Sequence, residues 1–519
     1  MGLIGLTTGE QAEEKLEALV AKMAHRAGGR QVRSLAVDAG PAGFDAWTAG
    51  RGALDRPGGR VAIGGTECPG PVPDLKTLLS FPDAAAISLP DRPPRFFVCD
   101  GSLPDSFALA AAWEDGSVVL ARGPLGLRPL YYLDLDSPDR GGGRRPVAFA
   151  STIKALAEQA GGEGRIRTFP PGHLYAGCRF HRFTRVRDWP RLPVPAGDPA
   201  GAASALRDLV GDAVERGCQA GASLEDGRDD RVRVEPPAGL FLSGGIDSSV
   251  VAAAAVERLG AADLRSFSVG TLDSEDLPKA RLVAERLGLR HTERVIDEDD
   301  VVRVLPRVIE HLESMDAPLV RSSVANYVVA GMAAEAGCGQ ALCGEGGDEL
   351  FAGYAYLKDF DSEKAVDAEL LALLEGGHSN GFQRVDRMTS AHGLEARVPL
   401  SAPALLAFAL RVPLDWKIHS GQEKWILRQA YAQDLPDDVV ERPKAKFYEG
   451  SGMEGLMSRV AYRLVSDADF RRWRGKEVAP GHPLNTKEEI LYYRLFREHI
   501  PHPSALETIG WTRTLGAAS

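Results

Sequence analysis

The sequence lacks the features that would place it in several broad classes of protein. Its 519 residues contain no apolar run near the roughly 18 residues of a membrane-spanning helix. Its opening, MGLIGLTTGE, has no basic region followed by a long apolar core, which a signal peptide requires. The six cysteines form no C-x-x-C pair, which disfavours a zinc site and a disulfide framework. We therefore expect a cytoplasmic protein that binds no membrane.

An excess of basic charge is also lacking. The net charge of −11 argues against a general nucleic-acid binder, because phosphate binding needs a basic surface. The Walker spacing G-x-x-x-x-G-K-[ST] is absent. A hydrophobic content of 44% and a charged content of 26% are those of an ordinary globular protein. The length allows two or three domains with sizeable cores, and we expect small-molecule partners.

The most informative stretch is AGLFLSGGIDSSV, residues 238–250. A short apolar strand leads into SGGIDSS and then into an alanine-rich helix. Gly244 and Gly245 let backbone N–H groups approach an oxyanion, and the helix start adds partial positive charge. Asp247 is placed to hold a divalent cation beside that anion. A simple capped turn would account for only some of the seven residues of SGGIDSS, whereas an anion site accounts for all of them. The pattern therefore favours an anion site.

A second glycine-rich stretch carries two carboxylates. It reads LCGEGGDELFAGY, residues 342–354, and places Glu345 and Asp348 on a turn after an apolar strand. One carboxylate can hold a metal while the other acts on a substrate amine. Alone, the same residues would also suit a surface turn before an acidic helix start.

A third stretch, residues 421–452, is rich in basic side chains. We expect Lys424 and Arg428, four positions apart, to share one helix face that clamps a pyrophosphate. Lys444 and Lys446 lie in a loop opened by a proline and closed by glycines. A lysine in a loop is usually a solvated charge, so only the neighbouring stretches make this one a candidate for chemistry.

The pattern along the chain predicts two domains. Residues 1 to about 190 read as short strands with turns, and RLPVPAGDPAGAAS, 191–204, reads as a linker. From 238 onward, FLSG, LRSFSVG, HTERVID and QALCG read as strands separated by helices, which predicts a parallel, doubly wound sheet. Ligands bind at the carboxyl ends of such strands, where both glycine-rich turns would lie. From about 360 to 500 the chain is expected to be mostly helical.

Together these stretches resemble a known family. SGGIDSS is similar to the pyrophosphate loop of the ATP pyrophosphatase superfamily, which splits ATP into AMP and pyrophosphate. The three stretches in this order resemble asparagine synthetase of the glutamine-hydrolysing type, over nearly all of residues 238–501. ESMDAPLVRSS is similar to the family's aspartate-site stretch, RVDRMTSAHGLEARVP to its arginine-and-histidine segment, and TKEEILYYRLFREHIP to its C-terminal helix. Ser401 departs from the family, which usually has Asp there.

The resemblance implies ATP and Mg²⁺ as cofactors and a role for each matching residue. Lys444 would be catalytic by stabilising charge during adenylation and at the tetrahedral intermediate, and Glu345 by assisting the attacking amine. Asp247 and Asp348 would bind Mg²⁺, and Arg321 would hold the substrate carboxylate. The substrate site would also include Ser322 and Gly346, and the nucleotide site would comprise Leu242, Ser243, Gly244, Gly245, Asp247, Ser248, Ser249, Val269, Cys343, Gly344 and Lys424.

The N-terminal part resembles the family's N-terminal-nucleophile glutaminase. The likeness rests on MAHRAGGR, LARGPLGLRPLYY and FASTIKAL. The family's nucleophile is a cysteine at position 2, but Gly2 has no side chain to attack an amide. The glutamine-holding loop N-G-E-I-Y-N is absent, and Cys68 is not at a chain start where its own α-amine could act as base. We expect an α+β N-terminal-nucleophile-like sandwich domain without glutaminase chemistry, residues 1–195, and an α/β ATP-pyrophosphatase-like synthetase domain, residues 196–519.

The function expected is an ATP-dependent, amide-forming ligase. It would adenylate a carboxylate, the side chain of aspartate or an analogue, and pass it to ammonia or another amine. Free ammonia or a separate donor protein would supply the nitrogen, a homodimer is compatible with the resemblance, and specialised metabolism such as antibiotic biosynthesis would suit so diverged a copy.

Three alternatives stay open. One is an intramolecular amide cyclase of the β-lactam synthetase or lasso-peptide kind. Glu345 disfavours it, because β-lactam synthetases carry Tyr at that turn, and so does the ESMDAPLVRSS segment. The second is a catalytically silent regulatory homologue, whose mark would be loss of the synthetase residues. The third is a tRNA-modifying pyrophosphatase, which the acidic charge disfavours.

Overall fold

The computed structural model describes residues 4–6, 33–40, 43–48, 59–65, 96–102, 106–112, 118–135, 146–157, 160, 164–176, 179–219, 238–261, 264–444 and 446–512. The chain divides into two units. The first comprises Met1–Asp188, Lys476–Pro483 and Tyr493–Gly510, and the second comprises Trp189–Gly475, Leu484–Tyr492 and Trp511–Ser519. The first unit is therefore discontinuous in sequence, which a single division after residue 195 does not provide for.

The described part of the first unit is built on two antiparallel sheets. Its strands are β1 (Ile4–Leu6), β2 (Arg33–Gly40), β3 (Gly43–Thr48), β4 (Gly59–Gly65), β5 (Phe96–Ser102), β6 (Ser106–Ala112), β7 (Val118–Arg122), β8 (Tyr131–Leu135), β9 (Pro146–Ala150), β10 (Gly164–Thr168), β11 (His173–Ala176) and β12 (Arg179–Arg182), with helix α1 (Ile153–Ala157) after β9. One sheet has the order β10-β8-β9-β1-β4-β2-β3 and the other β12-β11-β7-β6-β5.

Aromatic side chains join these two sheets. The rings of Tyr132 on β8 and Phe180 on β12 lie 5.2 Å apart, and Phe169 lies 5.2 Å from Phe180. Beside them Arg122 is fully buried and donates to three carbonyl oxygens, including those of Phe169 at 2.7 Å and Arg128 at 2.8 Å. The arginine of the LARGPLGLRP stretch therefore ties its own turn to the core.

The glutaminase interpretation concerns positions that the structure does not describe. Gly2, Cys68 and residues 23–30 lie outside the described residues. The two antiparallel sheets agree with the expected richness in strands, and the N-terminal-nucleophile-like fold stays a prediction.

The second unit is organised around a parallel sheet, as the alternating pattern predicts. Its strands are β13 (Ala238–Phe241), β14 (Leu264–Gly270), β15 (Arg290–Val295), β16 (Gln340–Leu342) and β17 (Glu395–Arg397). All four pairings are parallel, in the order β15-β14-β13-β16-β17. The chain builds outward from β13 to β15 and then returns to add β16 and β17 on the other side. This reversal creates a topological switch point between β13 and β16, where such sheets bind ligands.

The burial of each strand follows from its place in the sheet. β14 reads LRSFSVG and is buried at every position but one, as expected for a strand covered on both faces. β15 reads RHTERV, is largely exposed and forms the edge of the sheet, where charged side chains oppose further pairing. The predicted strand over residues 264–270 matches β14.

Most of the remaining described elements are helices. They are α2 (Pro199–Gln219), α3 (Ile246–Leu259), α4 (Asp276–Arg286), α5 (Glu298–Leu312), α6 (Ala317–Glu335), α7 (Gly347–Leu350), α8 (Glu363–Gly376), α9 (Gly381–Ser390), α10 (Pro403–Ala409), α11 (Leu414–Lys417), α12 (Trp425–Tyr431), α13 (Asp437–Val440), α14 (Phe447–Gly450), α15 (Met453–Leu464), α16 (Asp467–Trp473) and α17 (Lys487–His499). Two short hairpins, Ile418–His419 with Gln422–Glu423 and Glu477–Ala479 with His482–Pro483, interrupt them. Of the helices in the described ranges, none combines the length and apolar character needed to span a bilayer.

Phe267 on β14 provides a test of this core. Its side chain is 2% exposed and packs beside Gly239 of β13. Phe267→Ala should lower the free energy of unfolding by about 3–5 kcal/mol, because it removes a large buried ring and leaves a cavity. Urea unfolding of the purified variant measures this loss. Leu272→Ala is the control, since Leu272 is 86% exposed, and should stay within about 0.5 kcal/mol; equal effects of the two substitutions would contradict this placement.

Candidate active site

The first glycine turn, residues 243–249, connects β13 to α3. Gly244 has a φ of +72°, and a β-carbon there would lie 2.6 Å from the backbone nitrogen of Ala280, so only glycine suits the position. The hydroxyls bond within the turn: Ser248 Oγ and Ser249 Oγ donate to the carbonyl of Gly245 at 3.1 and 2.8 Å. No described side chain caps the start of α3. Its first N–H groups therefore remain for an anion.

The second glycine turn, residues 343–348, follows β16 and packs on the first. A β-carbon at Gly344 would lie 2.7 Å from the backbone nitrogen of Ser248, and one at Gly347 would lie 2.3 Å from Asp247 Oδ1. Gly346 has a φ of +98°. Gly346 requires glycine for this backbone conformation, whereas Gly344 and Gly347 require it because the two turns approach so closely. This approach brings Asp247 and Asp348 to one site.

Two ammonium groups converge on these carboxylates. Lys424 Nζ pairs with Asp247 Oδ2 and lies 2.6 Å from Asp348 Oδ1, and the Lys424 side chain is fully buried. Lys444 Nζ lies 2.8 Å from Asp348 Oδ2. Lys424 has a left-handed backbone, with a φ of +56°, which is uncommon for a residue other than glycine. The local backbone therefore directs the ammonium inward to the two aspartates.

The charges of this cluster reinforce one another. Burial alone raises the pKa of Asp348, but the ammonium groups of Lys424 and Lys444 outweigh that effect and hold its pKa well below the ordinary range. Burial likewise lowers the pKa of Lys444, but the Asp348 and Asp247 carboxylates outweigh it and hold that pKa well above the ordinary range. Near neutral pH Asp348 is therefore an anion and Lys444 a cation.

The two carboxylates fit a magnesium ion that also contacts phosphate. Asp247 Oδ1 is buried and has no hydrogen-bond partner among the described residues. Those residues assemble no group of three or more histidine, cysteine or acidic side chains suited to a metal. Mg²⁺ in proteins usually takes one or two carboxylates together with substrate phosphates and water. Asp247 and Asp348 would hold such an ion, which would neutralise charge on the phosphates.

Glu345 and its neighbour Glu349 differ in their surroundings. Glu345 accepts a hydrogen bond from Arg384 Nη2 at 3.0 Å, and both side chains are about one-sixth exposed. Glu349 accepts from Tyr354 Oη at 2.6 Å, and burial, followed by the charge of Asp348, raises the pKa of Glu349. Arg384 thus orients Glu345, while Glu349 is turned to a tyrosine behind the cluster.

Arg321 is engaged by two acidic side chains. Its Nε donates to Glu488 and its Nη1 to Glu454, each at 2.8 Å, and its guanidinium also lies over the ring of Tyr448. The hydroxyl of Ser322 donates back to the carbonyl of Pro318 in its own helix at 3.3 Å. Sequence reasoning did not identify Glu454 or Glu488, and the substrate roles of Arg321 and Ser322 stay predictions.

The expectation for Arg428 is wrong in the structure. Lys424 precedes α12 in a left-handed conformation, so the two side chains do not share a helix face. Arg428 is buried and donates to the carbonyls of Glu423 at 2.8 Å and Arg442 at 2.9 Å, and to that of Val440. It braces the backbone that leads to Lys444 instead of facing a phosphate.

Four residues that the resemblance assigns to the nucleotide site lie where the strands end. Leu242 follows β13, Val269 lies on β14, and Cys343 and Gly344 follow β16. The side chains of Leu242, Val269 and Cys343 are buried, and Cys343 N donates to the carbonyl of Arg397 at 2.9 Å. Their contact with a nucleotide stays a prediction.

Comparison with known proteins agrees with this geometry. A sequence model of the asparagine synthase family matches residues 219–370 and 358–516. The chain is 31% identical to a probable glutamine-hydrolysing asparagine synthetase of Schizosaccharomyces pombe, covering 77% of this chain and 72% of that one. It is 30% identical to the asparagine synthetase of Zea mays, covering 78% and 68%, and 29% identical to asparagine synthetase 2 of Arabidopsis thaliana, covering 76% and 67%.

The site combines an anion-binding turn with two aspartates and two lysines at the switch point of a parallel sheet. With the family match, these features identify a ligase that uses ATP to form carbon–nitrogen bonds and releases AMP. Within that class, the chain belongs to the asparagine synthase family.

The two aspartates are testable as joint ligands of Mg²⁺. Asp247→Asn and Asp348→Asn should each lower pyrophosphate release by about a hundredfold or more, because each removes charge aimed at the metal and phosphates. Circular dichroism should show a retained fold. Titrating MgCl₂ against pyrophosphate release makes the measurement, and Asp437→Asn, at an exposed site outside both turns, is the control. Near-normal release of pyrophosphate by either variant at ordinary Mg²⁺ concentrations would show that the substituted residue is not a Mg²⁺ ligand.

Proposed function

We propose that this chain adenylates a small-molecule carboxylate, the side chain of aspartate or a close analogue, and then joins the acyl group to ammonia or another amine. The observation that carries the proposal is the meeting of Lys444 and Lys424 on Asp348, beside the uncapped start of α3. That arrangement suits a nucleotide cleaved between its α and β phosphates. Family membership supports the same chemistry.

In the first half-reaction, a carboxylate oxygen of the substrate attacks the α-phosphorus of ATP and pyrophosphate leaves. The first glycine turn would hold the leaving pyrophosphate through its N–H groups and hydroxyls. Negative charge builds on the pentavalent phosphorus, and Lys444 would stabilise it as a fixed cation. A preorganised charge of this kind is worth a factor of about 10² to 10³ in rate.

In the second half-reaction, the amine attacks the acyl carbon and AMP leaves with the electron pair of the broken C–O bond. The nitrogen loses a proton, which Glu345 would accept. Arg384, at 3.0 Å, fixes the direction of that carboxylate. The oxyanion of the tetrahedral intermediate would again face Lys444.

The proposed source of nitrogen rests on the sequence of the N-terminal part of the chain. Gly2 stands where the glutamine-hydrolysing family has its cysteine nucleophile, and the glutamine-holding loop is missing. The proposed donors are therefore free ammonia, ammonia from a separate protein, or another amine, within the cytoplasm. A homodimer and a role in specialised metabolism belong to the same proposal.

A second candidate is an intramolecular amide cyclase. The observation that favours it is the engagement of Arg321 by Glu454 and Glu488, which leaves this arginine less suited to a free α-carboxylate. A cyclase would release pyrophosphate and form product from the acid alone, whereas the ligase requires added amine. A silent homologue is disfavoured because Asp247, Asp348 and Lys444 are all present and paired.

Lys444 is the residue on which the ligase proposal depends most. Lys444→Ala should lower single-turnover AMP formation by about a hundredfold or more. Lys446→Ala is the matched control, because Lys446 lies two positions along the same loop and its ammonium lies over the ring of Tyr448; it should lose much less. If Lys446→Ala lost more activity than Lys444→Ala, the catalytic role would belong to Lys446. No loss in either variant would count against the mechanism.

Glutamine should not serve as nitrogen donor. Position 2 offers no nucleophile, so incubation of the purified chain with glutamine should release glutamate far more slowly than about 1 per second, an ordinary enzymatic rate. An enzyme-coupled glutamate assay measures this release, and ammonium chloride provides the comparison. Gly2→Cys alone should not restore activity, because the glutamine-holding loop is also absent. Glutamate release at ordinary enzymatic rates would contradict the proposal.

A further inference from the structure

The loop that carries Lys444, residues 441–452 (the Lys444 loop), lies outside the parallel sheet, so its position depends on contacts at its two ends. At the first end, Arg428 holds the carbonyl of Arg442 at 2.9 Å. At the second end, the carbonyls of Gly450 and Ser451 accept from the backbone nitrogens of Glu275 at 3.0 Å and Thr271 at 2.9 Å. Both ends are therefore attached to other elements of the second unit.

One carboxylate contacts both ends of this loop. Asp276, the first residue of α4, lies 2.8 Å from Arg442 Nη2 through its Oδ1, and both side chains are largely buried. A β-carbon at Gly450 would lie 2.3 Å from the same Oδ1, so the carboxylate rests against the opposite end as well. Lys444 is two residues from Arg442. Asp276 therefore contacts the Lys444 loop at both of its ends.

We propose that Asp276 and Arg442 form a latch that positions Lys444 for the chemistry. Both are positioning residues, because their side chains pair with each other at the ends of the loop. The backbone carbonyl of Asp276 also packs against the first glycine turn, since a β-carbon at Gly244 would lie 2.7 Å from it. The proposal rests on the role of Lys444 given above. A cation aimed at developing charge is effective only when it is held in place before the reaction, and the latch holds it.

The charged groups around Asp276 give the latch a pH dependence. Burial, partly offset by Arg442 and Lys444 and reinforced by Glu275, raises the pKa of Asp276 from 3.8 to about 6. Its carboxylate is therefore ionised above about pH 6 and protonated below. The charged pair with Arg442 is therefore present near neutral pH, and the titration of Asp276 should produce an inflection near pH 6.

Trypsin provides a readout that does not require activity. It cuts after Lys444 and Lys446 when the loop is free, while Pro443 blocks cleavage after Arg442. Asp276→Asn and Arg442→Gln should each speed cleavage by about tenfold or more, because a charged pair is lost. The double variant should be no faster than the faster single variant, since both break one interaction. Arg442→Lys should retain part of the protection.

The matched control is the ion pair of Lys279 with Asp438, which also joins α4 to the segment before the loop, at 2.6 Å, but is more exposed. Lys279→Ala should leave cleavage of the loop and AMP formation within about twofold of wild type, as an exposed pair contributes little. Circular dichroism checks the fold of each variant. If Arg442→Gln fails to fold, the nearly isosteric Asp276→Asn carries the test alone.

Measurements of activity then distinguish a positioning role of Asp276 from a purely structural one. Asp276→Asn should lower single-turnover AMP formation by about tenfold or more, leave the Kd for ATP within about threefold, and abolish the wild-type inflection near pH 6. Cleavage equal to that of the Lys279→Ala control would overturn the latch, as would faster cleavage with an unchanged rate. If wild type forms no AMP with any acid tested, the proposed function fails, and the trypsin result still decides whether the latch exists.

Discussion

Two carboxylates held side by side repel each other, and the second unit is arranged around this constraint. Two unit charges about 4 Å apart interact by about 4 kcal/mol at the effective dielectric near a protein surface. Lys424 and Lys444 add two positive charges in contact with Asp247 and Asp348, so the four groups compensate one another. Removing one partner from a buried pair costs about 3–5 kcal/mol. The four side chains therefore function as one unit.

The glycines of both turns follow from this requirement. For the carboxylates to reach one ammonium, the chain after β16 must touch the start of α3, and Gly344 and Gly347 are the positions of contact. Gly353 serves the same purpose behind the cluster, because a β-carbon there would lie 2.0 Å from Asp348 Oδ1. The glycines are explained by close approach at least as much as by turn conformation.

Local sequence patterns explain why much of the fold and of the site could be predicted. β14, α3 and the parallel sheet follow from hydrophobic periodicity and the turn residues, and the rule for strand ends then brings Asp247 and Asp348 together. What could not be predicted depends on distant partners or on unusual backbone. Arg321 meets Glu454 and Glu488 across more than a hundred positions. The left-handed Lys424 turns Arg428 away from its expected face, and no local propensity indicates that conformation.

The cluster and the surroundings of Arg321 differ in how tightly the structure constrains them. Each member of the four-charge unit contacts another member at a partly buried site, so a substitution there leaves a charge without its partner. Glu454, by contrast, is 51% exposed, and its pair with Arg321 is of the kind that contributes only about 0–1 kcal/mol. A change at Glu454 would therefore alter the surroundings of the proposed acyl-substrate residue Arg321 without leaving a charge of the cluster unpaired. A ligase of this family could in this way change the acid it uses while keeping the four charged groups of the cluster.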